Sequence, residues 1–495
     1  MQLTTLISVM LYFILMLCIG VYAMRRSSGS ASGYLLGGRQ LGPAVTALSA
    51  GASDMSAWIL MGLPGAMVAS GFSSAWIVIG LLAGAWLNYL LVAPRLRVFT
   101  EHANDALTLP DFFESRFHDH SHMLRCVASV VIVLFFTIYT SSGLVAGGVL
   151  FESSFGLSYK LGVGLTVCVV VVYTFLGGFH AVCLTDFVQG CLMFVALVLV
   201  PFVAFTDIDS MEVVSRSVEA ASPGHLNWFT GVGVMAIISN MAWGLGYFGQ
   251  PHIIVRFMAI RSVRDTGMAR RIGMSWMLVS VTGAVMTGFV GYAWVLQNGF
   301  ALDNPETIFI VLTQLLFHPV IGGFLLAAIL AAIMSTISSQ LLVSSSSLSQ
   351  DFFKVFIKRD VEDARVILVS RLAVVAVAVV AAILALDRSS SILGLVSNAW
   401  AGFGAAFGPM VLMSLYWPGM NRQGALAGMM TGAVVVLVWI YLPVSISGRS
   451  LSEWMYEIVP GFLCSALAIW WVSRLTGNAS DQVQEEFSAA VKKLS

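Results

Sequence analysis

Runs of about twenty apolar residues recur through nearly the whole chain, and no other feature restricts its fold so severely. A helix rises 1.5 Å per residue, so about 20 residues cross the ~30 Å hydrocarbon core of a bilayer. Inside that core backbone N–H and C=O groups find no water, and a helix satisfies them within its own segment. Thirteen spans are expected, near 5–25, 44–70, 74–94, 124–150, 160–179, 186–206, 230–249, 273–296, 319–348, 368–386, 392–416, 424–443 and 456–474. Composition agrees, since 58% of the 495 residues are apolar and 10% charged, against about 25% charged in soluble domains. The expected class is an all-α polytopic membrane protein.

An odd number of spans puts the termini on opposite sides, and the lysines and arginines decide which. The first run is followed by Arg25-Arg26 and has no basic residue before it, the reverse of a secretory signal. With the N-terminus outside, 21 of the 25 basic residues fall in inward segments, and only Lys160, Arg216, Arg388 and Arg449 fall outside. Inward segments of membrane proteins are the basic ones. Residues 1–475 are expected to form one transmembrane domain, with 476–495 as a short, polar, helical cytoplasmic tail.

The second span carries the sharpest local conflict. Gly51-Ala-Ser-Asp-Met-Ser-Ala-Trp58 puts the Asp54 carboxylate in mid-membrane, and Gly62-Leu-Pro-Gly65 follows. A charge there costs at least ~2.5 kcal/mol, which marks a functional site. Pro64 lacks an N–H and the glycines weaken the helix, so a break is expected at 62–65, with free carbonyls around Ala52 to Ser56. Free carbonyls at the midplane hold cations in many secondary transporters. The seventh span is interrupted likewise, at Gly244-Leu-Gly-Tyr-Phe-Gly-Gln-Pro251. Two broken helices five apart point to an inverted repeat, about 44–206 and 230–416, with the site at the interface.

Other residues cluster by spacing. Ser335 and Thr336 in the ninth span offer adjacent hydroxyls to one cation, or else mediate close helix packing, which is the better account of the run Ser344 to Ser347. Trp243 and Tyr247, four apart beside the seventh-span break, together with Tyr139, would wall a pocket for a small, partly apolar solute; aromatic core packing is the plainer alternative. Asp186 opens the sixth span at its cytoplasmic end, as a gating residue or an ordinary first-turn cap. His118, His120 and His122 fit a solvated loop better than a metal site. No CxxC pair joins the six cysteines, and no basic block, phosphate loop, GxSxG or HExxH occurs, so nucleic-acid binding and enzymatic chemistry are not expected. Too short a tail follows for a fused signalling kinase.

These residues together resemble the sodium:solute symporter family, in particular its sodium/proline carriers. The matching stretches are Tyr34-Leu-Leu-Gly-Gly-Arg-Gln-Leu-Gly-Pro43, Thr46 to Ser56, Ala106-Leu-Thr-Leu-Pro-Asp111, Phe135 to Tyr139, Trp243 to His252, Ile329 to Thr336 and Ala399 to Pro409. The resemblance implies a LeuT-like 5+5 inverted repeat with additional helices, in a bacterial cytoplasmic membrane. It implies sodium-coupled import of L-proline, or of another small solute such as a carboxylate, with Na+ as the co-transported ion and no obligate protein partner. Sodium would be held by carbonyls of Ala52, Met55 and Ala332 and hydroxyls of Ser335 and Thr336, with Asp54 essential. Ser56, Tyr139, Trp243, Tyr247 and Pro251 would serve the solute, and Arg39 and Asp186 the coupling. Ala57 stands where such carriers have glycine, and Ser339 where cysteine is usual, the latter with little consequence expected.

Overall fold

The computed structural model describes residues 2–26, 31–208, 210–357, 362–387, 391–446, 448–477 and 479–494. Lys358, Arg359 and Arg388, counted above among the loops, lie outside these. A helical segment stands at each of the thirteen expected intervals. Ten helical stretches among the described residues are long and apolar enough to cross a membrane.

The second span breaks earlier than expected. Its first half is the helix Pro43–Asp54, which ends at Met55 (φ −83°, ψ 77°), and a π-helical turn Trp58–Gly62 leads into the second half, Leu63–Ser70. Gly62-Leu-Pro-Gly65 is therefore not the break. Pro64 sits in the first turn of a helix, where its missing N–H is harmless, and the wider π turn before it moves the i−4 carbonyl off the proline ring. The third span repeats the device, with a π turn Asn88–Val92 ahead of Pro94 and a helix continuing to His102.

The seventh span breaks where the glycines are. Helix Val234–Met241 tightens into a 3₁₀ stretch, Ala242–Gly249, Gln250 is extended, and Pro251 starts the helix Pro251–Ala259. Glycine is required here by contact: a Cβ on Gly84 would lie 2.2 Å from the Gly244 carbonyl oxygen, and one on Gly246 would lie 1.9 Å from Trp400 Nε1. The span thus extends ten residues beyond its expected end at 249, and Arg256, counted as a loop residue, lies in the core with no exposure.

At the centre stands Pro319–Ser346, enclosed on nearly every side, whereas Gln2–Arg26 turns Leu3, Ile7, Leu11 and Ile14 outward as a lipid-facing helix does. Within the serine run, Ser345 and Ser346 donate to the Leu342 carbonyl of their own helix and Ser370 donates to Ser345, as packing residues do, while the buried hydroxyls of Ser344 and Ser347 have no hydrogen-bond partner among the described residues. The tail forms the helix Asp481–Lys492, docked at the basic end of the bundle by His118 with Glu486 (3.0 Å), Lys493 with Glu101 (3.1 Å) and Phe487 edge-on to Phe99. His122 pairs with Glu114 instead, so these two loop histidines do not share one partner. No metal-binding group of histidine, cysteine and acidic side chains occurs among the described residues.

Candidate ion and solute site

The break at Met55 redirects backbone hydrogen bonds, and the candidate ion site follows from that. In an unbroken helix the Ser56 N–H would reach the Ala52 carbonyl; here it donates to Asp54 O at 3.0 Å. The Ala52 carbonyl is left for side chains of the ninth span. Ser335 Oγ stands 2.7 Å from Ala52 O and 3.1 Å from Ala332 O, and Thr336 Oγ1 stands 3.4 Å from Ala52 O. Four oxygens of the expected sodium set thus meet between the second and ninth spans, with Met55 fully buried at the break itself. Two carbonyls and two hydroxyls, each with spare lone pairs, make an oxygen-only donor group of the kind that holds an alkali cation.

Asp54 is placed differently. Its Oδ2 accepts the Tyr247 hydroxyl at 2.5 Å, and its Oδ1 has no partner, while its backbone oxygen accepts from Tyr139 Oη and Trp58 Nε1, both at 3.2 Å. The carboxylate therefore joins the second span to the seventh and does not stand among the oxygens around Ser335.

The aromatic wall includes a residue that spacing alone did not single out. Trp400, fully buried in the helix Ile392–Tyr416, donates through Nε1 to the Trp243 carbonyl at 2.7 Å, lies stacked near Trp243 and meets Tyr247 edge-on with centroids 5.1 Å apart. Its Ala399-Trp-Ala-Gly-Phe-Gly context, with small residues around one large ring, was the available signal. Pro251 starts the second half of the seventh span, and its neighbour Gln250 donates to the Trp400 carbonyl at 3.2 Å. Ser56 is buried just past Met55, with Ala57 beside it.

Asp186 is not a helix-end cap. The sixth span begins at Phe179, so Asp186 lies two turns inside it, with no exposure. Asp186 Oδ2 accepts from Arg256 Nη2 at 3.0 Å and from Ser49 Oγ at 2.7 Å, and Arg256 Nη2 also donates to Ser339 Oγ at 2.5 Å. The serine at 339 is thus far from inconsequential. Arg39 has a left-handed backbone (φ 55°) and donates to Thr100 Oγ1, Met258 O and Ala106 O at 2.9–3.1 Å. With Arg97, bonded to Ile260 O at 2.6 Å, it gathers the basic end of the bundle around the C-terminal end of the seventh span. At the opposite end a cavity of about 830 Å³ opens above the break, lined by Gly62, Gly65, Glu152, Asn304, Glu306 and Leu393 among others.

Two broken helices facing one oxygen cluster call for comparison with known carriers, and a family model described as the sodium:solute symporter family matches residues 34–432. The chain belongs to the sodium:solute symporter family. This member is 54% identical over 494 residues to the osmoregulated proline transporter OpuE of Bacillus subtilis (strain 168), covering 100% of this chain and 99% of that one. It is 54% identical over 473 residues to the high-affinity proline transporter PutP of the same organism (96% and 98% covered), and 52% identical over 475 residues to sodium/proline symporter 2 of Staphylococcus saprophyticus (95% and 93%). In fold the symporter matches a Na+-coupled sialic acid symporter solved in a substrate-bound outward-open state, at TM-score 0.81 and 20% identity over 96% and 99% of the two chains. Mhp1, a nucleobase-cation-symport-1 transporter, matches at TM-score 0.54 and 15% identity, over 92% and 98%. The polytopic helical fold expected from the resemblance is therefore the fold of this chain.

Proposed function

We propose that this chain imports L-proline with sodium across a bacterial cytoplasmic membrane by alternating access. The observation that carries the reading is the meeting of Ala52 O, Ala332 O, Ser335 Oγ and Thr336 Oγ1 at the break of the second span, beside an aromatic wall. Relatives at 52–54% identity over at least 95% of this chain carry proline in their names, which supports the choice of solute. Sodium draws the second and ninth spans together, and Tyr139, Trp243, Tyr247 and Pro251 face the solute beside Ser56. The cavity above the break and the arginine collar below it suit a state open outward and closed inward. One charge falling through 100 mV supplies about 2.3 kcal/mol, enough for roughly forty-fold accumulation before any sodium gradient.

The same reading takes residues 1–475 as one transporter domain of thirteen crossings, its repeats near 44–206 and 230–416. The N-terminus is outside and the tail 476–495 is cytoplasmic. Arg39 and Asp186 act in coupling.

Uptake of labelled L-proline into proteoliposomes under an inward sodium gradient tests it, with Asp54→Ala beside the native chain. Sodium-dependent uptake that collapses in the variant supports the reading. A native protein, monodisperse and correctly inserted, that ignores proline under sodium, lithium and proton gradients alike removes proline as the solute and calls for a screen beginning with small carboxylates.

A further inference from the structure

Behind Asp54, away from Ser335, a small cavity of about 20 Å³ is bordered by Asp54, Asn88, Tyr89, Tyr247, Met274 and Met277, side chains of the second, third, seventh and eighth spans. No residue of the ninth span borders it. A space above roughly 10–15 Å³ admits one body the size of a water molecule. Two acceptors beside it are orphaned: Asp54 Oδ1 and Asn88 Oδ1, on residues 2% and 1% exposed.

Charge makes this more than a wet pocket. The equally buried aspartates 119, 186 and 351 each have an arginine within 4 Å, namely Arg422, Arg256 and Arg125. Asp54 has no such cation among the described residues, and its one hydrogen bond is to the neutral Tyr247 hydroxyl. A lone buried carboxylate is costly, and a cation at its free oxygen removes the cost. The bordering oxygen donors are hard, a carboxylate, an amide carbonyl and the hydroxyls of Tyr89 and Tyr247, beside the thioethers of Met274 and Met277, which are poor ligands for an alkali cation. They suit a small alkali cation and offer no nitrogen or thiolate for a transition metal.

We propose that Asp54 Oδ1 and Asn88 Oδ1 form a second sodium site, separate from that at Ala52, Ser335 and Thr336. Two sodium ions then flank the Pro43–Asp54 helix, and the second ties the third and seventh spans to the break. The proposal deepens the sodium-coupled reading and does not depend on proline being the solute.

Equilibrium binding of radioactive sodium to the purified full-length protein, without solute, counts the sites. Two ions per native chain are expected, falling to one in Asn88→Leu and one in Ser335→Ala. Retention of the other ion shows that each variant is folded. Where Asn88→Leu does not give a monodisperse protein, Asp54→Asn, which keeps the shape and removes the charge, is expected to show the same drop. One ion in the native chain, or an Asn88→Leu count equal to the native one because the cavity holds only water or Asp54 only a proton, overturns the second site. Proline uptake with one bound ion would sink this site and leave the transport reading standing; two bound ions without proline uptake would do the reverse.

Discussion

Arg256 Nη2 lies 3.0 Å from Asp186 Oδ2, and neither side chain has any exposure. Through Ser49 and Ser339 the pair also joins the first half of the second span and the ninth span, so four helices around the candidate ion site share one polar knot. A buried ion pair contributes little net stability, because desolvating both charges offsets their attraction, yet removing one partner leaves a stranded charge costing about 3–5 kcal/mol. Asp186→Ala and Arg256→Ala should each lower the thermal unfolding temperature in detergent sharply, and the double variant should be less destabilised than the sum of the two. Strict additivity in that cycle would mean the contact carries no coupling.

Ser335 and Thr336 offer hydroxyls to one point, and loss of either should act on sodium before solute. Ser335→Ala is expected to raise the sodium concentration for half-maximal uptake by about tenfold, equivalent to ~1.4 kcal/mol, with the proline KM at saturating sodium changed far less. An equal rise in both constants would place Ser335 in the solute pocket instead.

The candidate ion site is readable in sequence because its signals are local. A carboxylate in an apolar run, a nearby proline and adjacent hydroxyls each violate the rules of a lipid-embedded helix. The break does not fall at the glycine–proline stretch because proline and glycine mark only where a helix is weak, while its actual place is set by tertiary bonds, Ala52 O to Ser335 and Asp54 O to Tyr139, with the local Trp58 indole also on Asp54 O. Arg256 was hidden for a related reason. A basic residue after a glycine-rich break reads as the start of a loop, and only its burial against Asp186, seventy positions away, shows otherwise. Trp400 resembled any core aromatic until the fold set its indole N–H on the Trp243 carbonyl.

Trp400 separates two roles of one ring. Trp400→Phe keeps an aromatic face toward Trp243 and Tyr247 but removes the side-chain donor to Trp243 O, a hydrogen bond worth about 0.5–1.5 kcal/mol. Trp400→Ala also removes the ring, for about 3–5 kcal/mol. Both should raise the proline KM, because the 3₁₀ stretch bearing Trp243 and Tyr247 is held by this contact, and the phenylalanine variant should unfold at a temperature between the other two. A native-like KM in Trp400→Phe would show that the hydrogen bond does not position the wall.

Asp119 gives a pH test outside the membrane. Burial pushes its carboxyl up, but hydrogen bonds from the Ser121 hydroxyl and the backbone N–H groups of Leu124 and Ser121, with Arg422 nearby, outweigh that and hold it below the ordinary carboxylate range. A depressed folded value means the stabilisation is complete above the unfolded value of about 3.9 and is lost as pH falls through the folded one. Unfolding temperature measured downward from pH 5 should therefore decline less steeply in Asp119→Ala than in the native chain, from a lower start. Parallel declines would assign the acid sensitivity to other carboxylates.

The tail helix should steady the basic end of the bundle. Lys493 reaches Glu101, which also binds Arg97 at 2.6 Å, and Arg97 in turn holds the Ile260 carbonyl at the C-terminal end of the seventh span. Pairs this exposed are worth under about 1 kcal/mol each and weaken with salt, so the buried faces of Val483 and Ala490 and the Phe487 ring against Phe99 carry most of the docking. Truncation after Gly477 is expected to lower the unfolding temperature and raise hydrogen exchange at 93–102 and 258–261, whereas Lys493→Ala alone should change little at high salt. Unchanged exchange at 258–261 in the truncated chain would show that the tail covers the collar without bracing it.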